Sequence, residues 1–183
     1  MVFQIFEELN LIDMKYIKCL FCILPILILM AACNMQPSNK KFNGSEGEVR
    51  LIAVAPGHFH AALLQKSMLK QLNYNVQVYA PEGPELNNYL NLINSYNTRE
   101  HNPTYWNLNT YTGNDFFEKM LSEKNGNVVV LAGNNQLKTD YILQSVDAGL
   151  NILADKPMAI DNASFEQLKN AFTLSAKRDV LLY

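Results

Sequence analysis

The chain has 183 residues and a formal net charge of −2. Hydrophobic residues make up 49% of it and charged residues 17%, so a packed core is expected and global disorder is not. Because the composition is not basic, nucleic acid is not expected as a partner. The length predicts one domain with an N-terminal appendage.

The first 33 residues are predicted to form an export signal with an upstream extension. A short basic segment at 14–18 precedes an almost wholly apolar run at 19–32. This run is shorter than the roughly 20 residues of a membrane-spanning helix, which favours a cleaved signal over the alternative of an uncleaved anchor. Small residues stand directly before Cys33, as in a bacterial lipoprotein signal. That resemblance implies a lipid on Cys33 and an exported, membrane-anchored protein, periplasmic or at the outer membrane.

All three cysteines (Cys19, Cys22 and Cys33) lie at or before the predicted cleavage point. The mature chain is therefore expected to have no disulfide bond and no thiolate metal site. Cys19 and Cys22 have the spacing of a redox motif, but they lie inside the apolar signal, which favours a simple signal sequence. Residues 34–48 are polar and predict a flexible tether.

From residue 49 onward, strand-like and helix-like patterns alternate along the chain. The continuous β-branched run at 128–132 is typical of a strand buried on both faces. Gly149 and Asp161 are a predicted helix stop and a predicted helix cap. The predicted strands are 49–55, 75–80, 106–111, 128–132, 151–154 and 180–183. The predicted helices are 59–72, 85–96, one beginning at 116 behind an Asn114-Asp115 cap, 137–148 and 161–177.

This alternation predicts an α/β fold in which a doubly wound parallel sheet spans residues 49–183. Each crossover between parallel strands must return over a face of the sheet, which places helices on both sides. The last predicted strand is interrupted at Tyr183. We therefore expect the domain to be truncated at its C-terminus and a second domain, which would hold the substrate, to be missing.

The turn after the first predicted strand is the first candidate for cofactor binding. A dinucleotide-binding fold places its G-x-G-x-x-G turn here, at the start of the following helix. Only the middle glycine, Gly57, is present, because Ala55 replaces the first and His60 the third. An ordinary turn is the alternative. The predicted cofactor residues are Pro56, Gly57, His58, Phe59 and His60.

His58 and His60 are also a possible pair of metal ligands. The motif contains no carboxylate or cysteine beside them, and a metal site usually needs such partners. We therefore predict no metal site.

Two further candidates follow the second and fourth predicted strands. Glu82 lies at about the distance from the glycine turn at which an acidic residue accepts the ribose hydroxyls of NAD. No arginine follows it directly, which favours NAD over NADP, although a capped turn is the alternative. Gly133, Asn134 and Asn135 follow the most buried strand. An asparagine there can bind a ribose or nicotinamide, or it can cap the next helix.

The fourth candidate is Asp155-Lys156-Pro157, after the strand at 151–154. Lysine can polarise a hydroxyl group or supply a proton, and burial lowers the pKa of a lysine toward useful values. Lys156 is therefore the predicted catalytic residue, with Asp155 and Pro157 beside it in the cofactor site. A surface turn is the alternative.

Taken together, these motifs resemble the glucose–fructose oxidoreductase and inositol dehydrogenase family (Gfo/Idh/MocA). The resemblance covers residues 49–183 and is strongest at 128–159, where the family has an apolar strand, a Pro-Asn step, a helix and a Glu-Lys-Pro motif. Lys156 and Pro157 match the last motif, and Asn135 matches the asparagine of the Pro-Asn step. The departures are Asn134 for proline, Lys138 for a common histidine and Asp155 for glutamate.

The resemblance implies NAD or NADP on a Rossmann domain and hydride transfer at a sugar or polyol carbon. It implies that Lys156 reaches the nicotinamide and the substrate, and that the peptide before Pro157 is often cis. A second domain of the family holds the substrate wall and often an oligomer interface, so a homo-oligomer is possible. Some relatives use NAD for redox-neutral glycoside cleavage, so a hydrolase or isomerase also fits. The rival interpretation is a non-catalytic carbohydrate-binding lipoprotein.

Overall fold

The computed structural model of the protein describes residues 42–183. The predicted export signal, Cys33 and the first part of the predicted tether lie outside the described residues. Within the described part of the chain, no helix has the length and apolar character needed to cross a membrane.

Five parallel strands form one sheet in the order β3-β2-β1-β4-β5. The chain runs outward from the central β1 in one direction and then returns to extend the other side from β4. The carboxyl ends of β1 and β4 therefore form a switch point, where the following loops leave in different directions and a ligand crevice opens. The predicted doubly wound Rossmann fold is confirmed. The strands are β1 Leu51–Val54, β2 Asn75–Tyr79, β3 Asn107–Tyr111, β4 Val128–Leu131 and β5 Asn151–Ala154.

Helical crossovers connect the strands, and their ends follow local sequence signals. Gly149 has a φ of +83°, the left-handed conformation that glycine adopts without steric cost, just after the third α-helix. Asp161 accepts from the backbone N–H of Ser164 in a capping box, as predicted for the fourth. The helices are a 3-10 helix at Phe59–Lys66, α1 Pro84–Thr98, α2 Phe116–Glu123, α3 Asn135–Asp147 and α4 Asn162–Arg178.

The predicted helix at 59–72 is wrong in both type and length. It is a 3-10 helix that ends at Lys66, and the chain then runs toward a parallel bridge between Leu72 and Val49. The Val49 N–H donates to the Gln71 carbonyl, which continues the pairing. Backbone pairing with the segment before β1 therefore overrides the helical spacing of the apolar side chains.

Two smaller predictions are also modified. Asp115 stands at the start of α2 but makes no capping hydrogen bond, because its carboxylate accepts from the Tyr111 hydroxyl. The predicted strand at 180–183 forms a single parallel bridge, between Leu182 and Ile152 of β5. It lies beside β5 but does not reach the length of the other strands.

The core consists of two apolar clusters that share the strands of the sheet. In β1, Leu51 and Ala53 belong to one cluster, and Ile52 and Val54 to the other, as the two-residue period of a strand requires. All four side chains are buried. With both faces occupied by apolar packing, the polar candidates are left at the carboxyl edge of the sheet.

Candidate cofactor site

The turn after β1 closes over the end of β4. Ala55 has a φ of +41°, the left-handed region that glycine occupies most readily. The Gly57 and His58 N–H groups both donate to the carbonyl oxygen of Ala132, at 3.1 and 3.0 Å. Ala55 therefore keeps the backbone shape of the glycine that it replaces, and the turn is fastened to the loop that follows β4.

Two glycines permit this close approach between the loops. A Cβ on Gly133 would lie 2.2 Å from the Ala55 carbonyl oxygen and 3.0 Å from the Gly57 nitrogen. A Cβ on Gly57 would lie 3.3 Å from the Gly133 Cα and 2.8 Å from a carboxylate oxygen of Glu85. A side chain at Gly133 would collide with backbone atoms and push the loops apart. A side chain at Gly57 would require the Glu85 carboxylate to move and the Gly133 backbone to shift slightly, so the steric role of Gly133 is the stronger one.

His58, His60 and Asp155 come together above this contact. The Nδ1 atom of His60 lies 3.1 Å from Asp155 Oδ2, and that of His58 lies 3.5 Å from the same oxygen. The Phe59 ring packs against both imidazoles, with centroid distances of 4.5 and 4.3 Å. The three side chains are donors of the kind that bind metals. The carboxylate that the sequence motif lacks is thus supplied by Asp155.

The two asparagines after β4 have different partners. Asn134 caps α3, because its side-chain oxygen accepts from the Gln136 N–H at 2.9 Å. The Asn135 side-chain oxygen accepts from the Lys138 ammonium at 2.8 Å. Of the two roles considered for these asparagines, Asn134 has that of a helix cap, whereas Asn135 is the hydrogen-bond partner of Lys138.

Lys138 is the buried lysine of this site, with only 2% of its surface exposed. Its ammonium also donates to the main-chain oxygen of Asp155, at 3.1 Å.

Burial lowers the pKa of Lys138, and the nearby Asp155 charge opposes that shift. Lys156 is exposed, as the surface-turn alternative allows. The Lys156–Pro157 peptide bond is cis.

Glu82 lies on a groove on the other side of the β1 turn. The groove holds about 420 Å³ and runs between Pro56 and the start of α1. Glu82 is exposed and accepts a hydrogen bond from the Thr112 hydroxyl at 3.3 Å. Glu85 lies on the same groove, whose lining contains no lysine or arginine. A ribose hydroxyl would find acceptors here, whereas a second phosphate would find no cation.

The parallel sheet, its switch point and the glycine contact are the features of a dinucleotide-binding domain, and sequence comparison agrees. The family described as the oxidoreductase family with an NAD-binding Rossmann fold (GFO_IDH_MocA) matches residues 76–183, more than half of the chain. The chain belongs to the Gfo/Idh/MocA family. The matched residues are accordingly an NAD-binding Rossmann domain of that family, and the predicted family and cofactor class are confirmed.

Solved structures with a similar fold are also found. A proposed oxidoreductase from Parabacteroides merdae is 49% identical and superposes with a TM-score of 0.78 over 79% of this chain and 33% of its own. The chain thus spans about a third of that protein's length. Myo-inositol 2-dehydrogenase from Lactobacillus plantarum has the same fold, with 14% identity and a TM-score of 0.51 over 74% of this chain and 36% of its own.

A third structure is the WlbA dehydrogenase from Chromobacterium violaceum, in complex with NADH and UDP-GlcNAcA. It is 13% identical and superposes with a TM-score of 0.51 over 75% of this chain and 35% of its own. Among functionally curated proteins, no match to this sequence is found.

The residues at the switch point fit the dinucleotide of the family. Gly133 leaves no room for a Cβ and Gly57 only a little, so the backbone is bare where the family's turn approaches the pyrophosphate. Glu82 and Glu85 offer acceptors beside the groove. One departure is that the Gly57 N–H, which could face a phosphate, already donates to Ala132.

Sequence reasoning missed two residues of this site, Glu85 and the buried Lys138. Lys138 was noted only as a departure from the family's histidine. A signal was available, because Lys138 falls on the same helical stripe as the buried Ile142 and Val146. Glu85 had no comparable signal, since its closeness to Gly57 depends on how α1 packs.

Proposed function

We propose that this chain supplies the cofactor domain of an NAD(P)-dependent oxidoreductase that acts on a sugar or polyol. The main supporting observation is that backbone hydrogen bonds hold Asp155, the residue directly before Lys156, in place. The Asp155 N–H donates to the Leu131 carbonyl at 2.9 Å, and the Asp155 carbonyl accepts from Lys138. The backbone of Asp155 is therefore held at both its N–H and its carbonyl, directly before Lys156, whose side chain is exposed.

The bound nicotinamide would supply the acceptor or donor of hydride. Lys156 would hold a proton at its Nζ atom against the reacting oxygen of the substrate, the role that the family resemblance implies for it. The myo-inositol dehydrogenase and the dehydrogenase bound to UDP-GlcNAcA support a sugar-like substrate by their fold.

Replacing Lys156 separates the chemistry from cofactor binding. In the protein that carries this chain, Lys156→Ala is expected to lower the turnover of sugars or polyols by about 10²-fold or more, the usual effect of removing a proton-transfer group. NAD⁺ affinity, measured by calorimetric titration, should change less than threefold. The exposed Lys177→Ala is the matched control and should leave both quantities unchanged. Full turnover in Lys156→Ala would refute the assigned role.

The acidic groove leads us to propose NAD rather than NADP. Glu82 would accept a ribose hydroxyl and repel a 2′-phosphate, for which the groove offers no lysine or arginine. We expect NAD⁺ to bind at least tenfold more tightly than NADP⁺, and Glu82→Gln to narrow that ratio. If the ratio of NAD⁺ to NADP⁺ affinity is the same in Glu82→Gln as in the unmodified protein, Glu82 does not contact the cofactor.

A non-catalytic carbohydrate-binding protein is the second candidate. It is favoured by the hydrogen bonds from Gly57 and His58 to Ala132, which occupy N–H groups that could hold a phosphate. Titration with NAD⁺ and NADP⁺ distinguishes the two candidates, because a protein with a decayed cofactor site would bind neither nucleotide.

We further propose that the protein is exported and lipid-anchored through Cys33. The support is the sequence alone: a basic segment, an apolar run and small residues before that cysteine. Labelling cells with a radioactive fatty acid should mark the protein, and Cys33→Ser should abolish the label, with Cys22→Ser as the control. An exported enzyme must also carry its nucleotide, so the protein should purify with bound NAD(H).

A further inference from the structure

We propose that His58, His60 and Asp155 bind a divalent transition-metal ion, of which Zn²⁺ is the best-fitting example. Two imidazole nitrogens and one carboxylate oxygen, one ligand atom from each residue, all lie within 4.8 Å of one another. Both Nδ1 atoms approach the same oxygen, Asp155 Oδ2. Nothing in the family match assigns a metal to this domain.

The distances agree with a shared metal ion. Metal–ligand bonds of about 2.0–2.2 Å at tetrahedral angles place ligand atoms roughly 3.4 Å apart. The two distances to Asp155 Oδ2, 3.1 and 3.5 Å, lie on either side of that value. Coordination would replace two existing contacts, the His60 Nδ1–Asp155 Oδ2 hydrogen bond at 3.1 Å and the weak contact from the His60 N–H to His58 Nδ1 at 3.4 Å.

The Asp155 carboxylate faces two imidazoles, while the Lys138 charge acts on it from a greater distance. The Asp155 side chain is only 13% exposed, and a buried carboxylate is costly without a positive partner. Within residues 42–183 no lysine or arginine forms an ion pair with it, since Lys138 donates to its main-chain oxygen instead. The His60 imidazole hydrogen-bonds to the carboxylate, and the His58 Nδ1 atom lies 3.5 Å from the same oxygen, so one ion between the three groups would be within reach of all of them.

The chemistry of the donors selects the type of ion. Imidazole favours zinc and its transition-metal neighbours, whereas calcium and magnesium prefer oxygen ligands alone. Three protein ligands leave a position open, as in catalytic rather than structural zinc sites. The histidine rings are partly exposed, so an ion and a further oxygen ligand can reach this position. Beside Lys156, such an ion would polarise a hydroxyl or carbonyl oxygen of a substrate.

Zinc binding to the tag-free chain tests the proposal. Calorimetric titration of metal-free protein with Zn²⁺ should give one equivalent, and His58→Ala, His60→Ala and Asp155→Asn should each weaken binding at least tenfold. His101→Ala removes the remaining histidine, which is exposed and lies on another loop, and should bind zinc as the unmodified protein does. Circular dichroism of each variant checks that it is folded.

Cobalt gives a second measurement. Co²⁺ bound to the intact site should show visible absorption bands of a four-coordinate ion, and Asp155→Asn should lose them. The proposal would be overturned if the chain failed to bind one equivalent of zinc, or if His58→Ala or His60→Ala bound zinc as tightly as the unmodified protein. NAD⁺ titrations are read separately, so a negative zinc result leaves the proposed cofactor function standing.

Discussion

Ala55 holds a glycine-like backbone conformation although it has a side chain. Its φ of +41° costs a non-glycine residue about 1 kcal/mol, while glycine costs about 0.5–1 kcal/mol in chain entropy. Ala55→Gly is therefore expected to raise the free energy of unfolding by between zero and about 0.5 kcal/mol, measured by urea denaturation. The control is Ala80→Gly, at the equivalent position after β2, where φ is not positive and stability should fall. Equal losses in both variants would contradict the strain at Ala55.

Lys138 shows how a charged residue can serve as a core side chain. Its stem packs in a fully enclosed position, and its ammonium has two oxygen partners. Lys138→Met keeps most of the volume and removes a buried charge, so we expect stability within about 1 kcal/mol of the unmodified protein. Lys138→Ala leaves a cavity and should lose about 2–3 kcal/mol. If Lys138→Met is as unstable as Lys138→Ala in urea denaturation, the two hydrogen bonds outweigh packing.

At the level of the elements, Asn134 decides how α3 begins. Its side chain accepts from the Gln136 N–H, which would otherwise lack a helical partner. Asn134→Ala is expected to cost about 1 kcal/mol of stability, whereas Asn134→Ser keeps a capping oxygen and should cost much less. Thermal denaturation of the two variants gives the comparison. If NAD⁺ affinity falls in both variants, Asn134 also contacts the cofactor, as the sequence predicted.

The contact between β2 and the end of α2 makes stability sensitive to alkaline pH. Burial raises the pKa of Tyr79 to about 12, and its hydrogen bond to the Glu123 carboxylate adds to the effect. Because the unfolded chain releases this proton near pH 10, the contribution of Tyr79 is complete below pH 10 and is lost as pH rises toward about 12. The stability difference between the protein and Tyr79→Phe should therefore shrink across that interval in urea denaturation. A pH-independent difference would contradict the raised pKa.

The elements also show where local sequence signals are sufficient. The bounds of β5 agree with the prediction, and the capping box at Asp161 begins α4 as expected, because both depend on neighbouring residues. The helix predicted at 59–72 fails since Leu72 pairs with Val49, a partner remote in sequence. The same distinction applies to the site. The cap at Asn134 is local, but the approach of His60 to Asp155, 95 residues away, depends on the order of the strands.

On the scale of the whole molecule, the sheet separates two apolar cores that share β1 and β4. Ile142 of α3 belongs to one core and Ile93 of α1 to the other, and both are fully buried. Each substitution by alanine is expected to cost about 2–5 kcal/mol. The two side chains lie on opposite faces of the sheet and belong to different clusters. The losses in the free energy of unfolding should therefore add in the double variant.

Because the same strands support both cores, we expect the two faces to unfold together. Urea unfolding of Ile93→Ala, Ile142→Ala and the double variant, followed by circular dichroism and by Trp106 fluorescence, should give coincident single transitions. Trp106 belongs to the cluster that contains Ile93, so its fluorescence reports on that face alone. An earlier fluorescence transition in Ile93→Ala, with the helical signal retained, would show that the two cores unfold independently.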